Sequence, residues 1–290
     1  MEEIRQLSAR PTITDGEFVQ KLEVWSESTT TSPSGLHLGH YKAMIGRHTH
    51  SIDAPDESLS PAYVAVRNKL NQKQQEIREL HLRLLNYALE RGHSFKRWHT
   101  VANTILFKDP DNVRLHRTRV VHLYEADYNL AMCIKWRAAM HQAEDLQALN
   151  EGQYGSRPNR RATDPVLLEE MQYEISCVAR SPLAITSYDA MACHDRIIPS
   201  VAILASRKFG VAPSVTKANA STLRQANYRI QTETGLSAAG YTHDAENPIY
   251  GTGQGSGNSP AIWCFISSTQ SKIYRSDGNI IGNTRYDRLR

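Results

Sequence analysis

The chain has 290 residues, of which 40% are hydrophobic and 22% charged, an ordinary balance for a globular protein long enough to bury a core of its own. Its 34 basic and 30 acidic residues leave a net charge of +4, which permits contact with nucleic acid without the strong basic excess of many dedicated binding modules. Cys133, Cys177, Cys193 and Cys264 form no Cys-x-x-Cys pair, which speaks against a zinc knuckle or disulfide framework and fits a reducing intracellular compartment, cytoplasm or nucleus. No stretch approaches the roughly 20 apolar residues that cross a bilayer, and Met1-Glu2-Glu3-Ile4-Arg5 does not read as a secretory signal.

Residues 1–61 read as a polar N-terminal extension with a loop over Ser26–Gly35. The loop leads into His37-Leu38-Gly39-His40, which resembles the His-x-Gly-His signature of class I aminoacyl-tRNA synthetases. That resemblance implies an ATP-using nucleotidyl transfer through His37 and His40, although the partner Lys-Met-Ser-Lys-Ser loop does not occur. From Ala62 to Arg91 apolar residues recur at threes and fours, among them Val66, Leu70, Ile77, Leu80, Leu84, Leu85, Ala88 and Leu89, and predict a helix stopped by Gly92. A turn with a buried Trp98 and a short strand, Thr104–Phe107, deliver Lys108; Arg119-Val120-Val121-His122-Leu123 follows. The spacing predicts further helices over Asn129–Leu149, Pro165–Ala179, Ser200–Phe209 and Ser214–Ala226, and a strand over Tyr228–Thr232.

Four groups of residues carry chemistry. An apolar run, Leu183–Ile185, brings Asp189 to what reads as a strand end, where a carboxylate suits a hard cation such as Mg²⁺; Asp195 follows six residues later. Arg119 offers a fixed guanidinium fork for phosphate oxygens and Lys108 a mobile point charge. The turn Gly155-Ser156-Arg157-Pro158-Asn159-Arg160-Arg161 suits a nucleic-acid backbone, and Thr163 or Asp164 can cap the helix behind it. Finally, Tyr250-Gly251-Thr252-Gly253-Gln254-Gly255-Ser256-Gly257-Asn258-Ser259-Pro260 is a glycine-rich turn opening a helix, whose backbone can approach a nucleotide closely.

Five blocks between Leu84 and Trp263 occur in an order that resembles reverse transcriptases of the non-LTR retrotransposon and group II intron type. They are Thr104–Lys108, Arg119–Leu123, Gln153–Asp164, Asp189 with Asp195-Arg196-Ile197, and Gly251–Pro260. The resemblance implies an α+β fold: right-hand polymerase fingers over residues 62–180 and an incomplete palm over 181–290, with helices packed on a small antiparallel sheet. It also implies RNA-directed DNA polymerisation, with an RNA template, a DNA primer and deoxynucleoside triphosphates as partners and Mg²⁺ or Mn²⁺ held by Asp189. Lys108, Arg119, His194, Gln254 and Gly255 then fall at nucleotide-binding positions, Arg157, Arg160 and Arg161 at nucleic-acid contacts, and Asp195 at structural support. Three positions depart from the pattern: Val120 replaces a proline, Ser156 an aromatic residue, and His194 the aromatic residue that excludes a ribose 2′-hydroxyl. After Trp263 the sequence has Asp277 and Asp287 but no aromatic-x-Asp-Asp segment, so the expectation is a truncated polymerase domain, inactive as given. A nucleic-acid-binding remnant without catalysis is the alternative.

Overall fold

The computed structural model describes residues 9–26, 33–36, 38–45, 60–108, 114, 118–161, 163–183, 193–246 and 248–276. In chain order they form α1 (Asp15–Val24), α2 (Leu38–Ala43), α3 (Pro61–Arg91), a 3-10 turn (Lys96–His99), β1 (Thr100–Phe107) and β2 (Thr118–Leu123). These are followed by α4 (Ala126–Asp145), α5 (Thr163–Ala179), α6 (Cys193–Arg196), α7 (Pro199–Lys208), α8 (Pro213–Arg224), β3 (Asn227–Thr232), β4 (Gly235–Leu236), β5 (Tyr241–Thr242) and α9 (Ser259–Ser276).

Helix α4 carries apolar residues on almost every side, and a helix of that kind belongs inside a core. Tyr128, Ala131, Met132, Trp136 and Ala139 are fully buried on it. Its neighbours α1 and α9 bring Phe18, Leu22, Ile262 and Phe265, and Trp136 donates its indole N–H to Ser206 Oγ of α7 at 2.9 Å. Phe209, at the end of α7, stacks on Phe265 with centroids 4.6 Å apart. The core cluster runs from Ile13 to Phe265 and so draws on all three stretches into which the sequence divides.

Ile13, Phe18, Leu22, Leu38 and Tyr41 of the N-terminal stretch are thus part of this core. Thr14 and Glu17 close a capping box at the start of α1, which turns Phe18 and Leu22 inward one helical turn apart. Helix α3 starts on Ser60 and Pro61 and stops at Gly92, whose φ of 65° suits the end of a helix. Helices α3, α7 and α8 and strand β3 lie within two residues of the bounds their periodicity predicts, whereas α4 begins three residues earlier, at Ala126.

The structure is mixed α+β, and the sheet corrects one expectation: it is mixed rather than antiparallel. β1 and β2 form an antiparallel hairpin with Asn103 opposite His122, but β1 pairs parallel with β3, Val101 opposite Tyr228. The physical reason is the crossover: helices α4 to α8 separate β2 from β3 and return the chain in the direction of β1. β4 and β5 pair antiparallel along the far side of β3. By alternation Asn103, His122 and Tyr228 share one face, while Thr104, Leu106, Arg119 and Val121 share the other. Among the described residues no helix is long and apolar enough to cross a membrane.

Candidate functional site at the glycine-rich loop

The loop Tyr250–Asn258 is held at several points. Gly251, Gly253 and Gly255 adopt φ of 100°, 80° and 115°, a region that residues with a side chain avoid. Each also lies against a neighbour that a Cβ would strike: His194 O at 2.7 Å for Gly251, the Tyr124 ring and hydroxyl for Gly253, and the His122 carbonyl for Gly255. Alternating glycines thus let one segment press on α6, on the end of β2 and on α4 at once.

Hydrogen bonds fasten each contact. Gly251 N–H donates to Ile197 O at 2.8 Å and Thr252 N–H to His194 O at 2.9 Å, tying the loop to the turn through α6. On the other side His122 N–H donates to Gln254 O at 2.6 Å, so the loop occupies a backbone position on the outer edge of β2. Asn129 of α4 spans the next turn, donating to Gly255 O at 3.3 Å and accepting from Gly257 N–H at 2.5 Å. Asn258 donates to Asn219 Oδ1 of α8 at 3.1 Å, and Tyr128 donates to the same oxygen at 2.6 Å. The Ser259 hydroxyl sits 3.0 and 2.8 Å from the carbonyl oxygens of Thr252 and Gly253.

The expected site residues separate into two groups around this loop. His194 and Asp195 on α6 and Gln254 and Gly255 in the loop come together, whereas Arg119 lies three residues along β2 from the His122 N–H that bonds the loop. Gly255 packs on Val121, which leaves the same face of β2 as Arg119. Lys108 is exposed directly after β1, and Arg119 is exposed opposite Leu106 near the same end of the hairpin. Asp189, the expected metal ligand, lies outside the described residues.

Arg157 requires a correction. Its guanidinium makes a bidentate pair with Glu144, 2.8 Å on each arm, and donates to the carbonyls of Asn150 and Gln153 at 2.8 and 3.0 Å. Four of its five donors are therefore engaged inside the protein, and the residue is buried. It fastens the turn instead of reaching nucleic acid. Arg160, over the Tyr154 ring at 5.6 Å, and Arg161 remain exposed beside it. Asp164 accepts from Arg161 N–H at 2.8 Å, the capping role open to it in the sequence. This turn abuts α9 through Gln153 and Ser267, which lies eight residues, about 12 Å, along the helix from Ser259.

Four buried polar atoms border the loop without a hydrogen-bond partner among the described residues: His194 Nδ1, His122 Nδ1, Tyr124 Oη and Thr252 Oγ1. Burial pushes the His122 pKa below its ordinary value, with the Asp195 carboxylate pulling the other way. Among the described residues no group of three or more His, Cys, Asp or Glu is arranged to hold a metal.

The other histidine signature fares differently. His37 lies outside the described residues, and His40 sits on the six-residue α2. The turn before it is bound to α4, with Ser34 N–H and Oγ donating to Glu125 at 3.0 and 3.1 Å. Sequence reading missed Glu125, Asn129 and Asn219, because single polar residues in helical segments carry no spacing signal.

The buried histidines give stability a pH dependence. His122 and His81 are both pushed down chiefly by burial, so each stays neutral in the folded chain at pH values where the unfolded chain binds a proton. Their contribution is complete above the unfolded value of about 6.5 and falls as pH drops through it, at no more than about 1.4 kcal/mol per pH unit for each proton. Urea unfolding at pH 7.5 and 5.5 is expected to show this loss, and His122→Gln to flatten it.

No protein-family model matches the chain, and no curated protein does either.

Proposed function

We propose that this chain carries the fingers and part of the palm of an RNA-directed DNA polymerase of the non-LTR retrotransposon and group II intron type. The observation that carries the reading is the meeting of three distant blocks. The glycine-rich loop bonds to the turn that follows Asp189 and to the β2 edge that bears Arg119. That the loop bonds to both elements supports the reading, because template-directed nucleotidyl transfer draws on groups from each of these blocks around one nucleotide.

In this reading Arg119 grips the triphosphate in a bidentate manner and Lys108 adds a point charge beside it. Gln254 and Gly255 face the base or sugar, and the His194 ring stands beside the ribose. Arg160 and Arg161 hold a nucleic-acid backbone, Asp195 supports the α6 turn, and Asp189 is the cation ligand. Mg²⁺ or Mn²⁺ in such enzymes stabilises the attacking and leaving oxygens of the displacement. The 290 residues contain no adjacent pair of aspartates, so the chain as given is expected to bind primed RNA without extending the primer.

Binding of a primed RNA template at several salt concentrations, with an extension assay in parallel, tests this. Affinity should fall steeply with salt, and Arg160→Ala with Arg161→Ala should lower the slope of log K against log salt by roughly 1.4 to 1.8, since each phosphate contact contributes about 0.7 to 0.9. Absence of binding, or a slope indifferent to both arginines, would rule the reading out. Primer extension abolished by Asp189→Asn would instead overturn the expectation of inactivity.

A further inference from the structure

Helix α3 is 31 residues long, about 46 Å, yet its fully buried residues, Leu85, Ala88 and Leu89, all lie in its last third. A second apolar stripe runs along its outer side. Val66, Leu70, Ile77, Leu80, Leu84 and Tyr87 are between 49% and 68% exposed. With Lys73 in the gap between Leu70 and Ile77, the spacing alternates four and three throughout, the a/d seam of a coiled coil. This stripe lies well round the helix from the buried residues, so α3's own core does not cover it.

The charges beside the seam indicate what does. Lys69, Glu76, Arg83 and Glu90 occupy the flank away from the protein body, one per heptad, and alternate in sign. We propose that α3 pairs with α3 of a second copy of this chain as an antiparallel coiled coil centred between Ile77 and Leu80. In that register Ile77 packs on Leu80 of the second copy and Leu70 on Tyr87. Glu76 then faces Arg83, and Lys69 faces Glu90. The two-fold axis repeats each pair, giving four opposite-charge contacts. A parallel arrangement has neither property: it sets Lys73 against Lys73 in the seam and Glu76 beside His81. In the antiparallel form Lys73 meets Leu84, and its stem can lie along the seam while its ammonium stays by Glu76, 2.6 Å away in the single chain. The overlap from Leu70 to Tyr87 covers about 27 Å. The inference is independent of the polymerase reading.

Sedimentation equilibrium of the full 290-residue chain at micromolar concentration tests it. The expected result is a dimer. Leu80→Glu, exposed in the single chain and so compatible with its fold, should weaken it about 100-fold or more, with an unchanged far-ultraviolet spectrum. Glu76→Arg should weaken it about tenfold by setting Arg against Arg83 twice, and adding Arg83→Glu should restore it. A monomeric wild-type chain, or a dimer indifferent to Leu80→Glu, overturns the proposal. A dimer that ignores Glu76→Arg, or that the double exchange fails to restore, overturns the antiparallel register.

Discussion

Asp127→Ala is expected to lower the free energy of unfolding by about 3 to 5 kcal/mol, the range for removing one partner of a buried charge pair. The carboxylate is fully buried and has three partners: the Arg97 guanidinium, Trp98 Nε1 at 3.1 Å and Tyr128 N–H at 2.9 Å. Its removal strands the indole N–H and a backbone N–H in an apolar setting, each costing about 1 to 3 kcal/mol. Arg97→Ala should cost less, because that guanidinium is partly open to water, 41% exposed, and its loss leaves an anion that still has two donors. Urea unfolding of the two variants decides the matter, and a drop below about 1 kcal/mol for Asp127→Ala contradicts the assignment. The effect reaches the candidate site. Asp127 fixes the first turn of α4, and Asn129, two residues on, holds Gly255 and Gly257. A variant that survives folding should therefore also loosen the glycine-rich loop.

What the sequence made legible was local. The period of α7 and α8, the stop at Gly92 and the burial of Trp98 follow from nearest-neighbour rules, and the structure has them. The parallel pairing of β1 with β3 joins residues more than 120 positions apart and leaves no local mark. Arg157 illustrates the same limit at a site: an arginine in a Gly-Ser-Arg-Pro turn reads as exposed, and only the approach of Glu144 from α4 reveals its burial. In α3 the periodicity was visible, but periodicity cannot say which of two apolar stripes meets the core. Leu85, Ala88 and Leu89 face inward, while Val66, Leu70, Ile77, Leu80 and Leu84 do not. The capping box at Thr14 and Glu17 is legible in the sequence but lies within a largely polar stretch, where scattered apolar residues such as Ile13, Phe18 and Leu22 do not by themselves reveal that they join the core. For the candidate site, the loop and its glycines could be read directly, whereas its anchors on β2, α4 and α8 could not.

Gly251→Ala is expected to cost about 2 to 6 kcal/mol and to detach the loop from α6. Two effects combine. A φ of 100° is strained for alanine, at about 1 to 3 kcal/mol. The new Cβ would also stand 2.7 Å from His194 O and 2.9 Å from Asp195 Cα, backbone atoms with no rotamer to yield, adding about 1 to 3 kcal/mol. Relief requires the loop to move off α6, which breaks the bonds from Gly251 N–H to Ile197 O and from Thr252 N–H to His194 O. Gly235→Ala supplies the control. Its φ is 124°, yet a Cβ there meets nothing within 4 Å, so it carries the backbone strain without the collision. The difference between the two variants in urea unfolding therefore isolates the contact with α6. If both variants cost the same, the loop does not bear on α6 as described. Under the proposed function the same substitution should weaken deoxynucleotide cross-linking to the complex while leaving its affinity for primed RNA nearly unchanged. In that reading the loop and α6 serve the nucleotide, whereas Arg160 and Arg161, assigned to the nucleic-acid backbone, belong to the turn that meets α9 through Gln153 and Ser267.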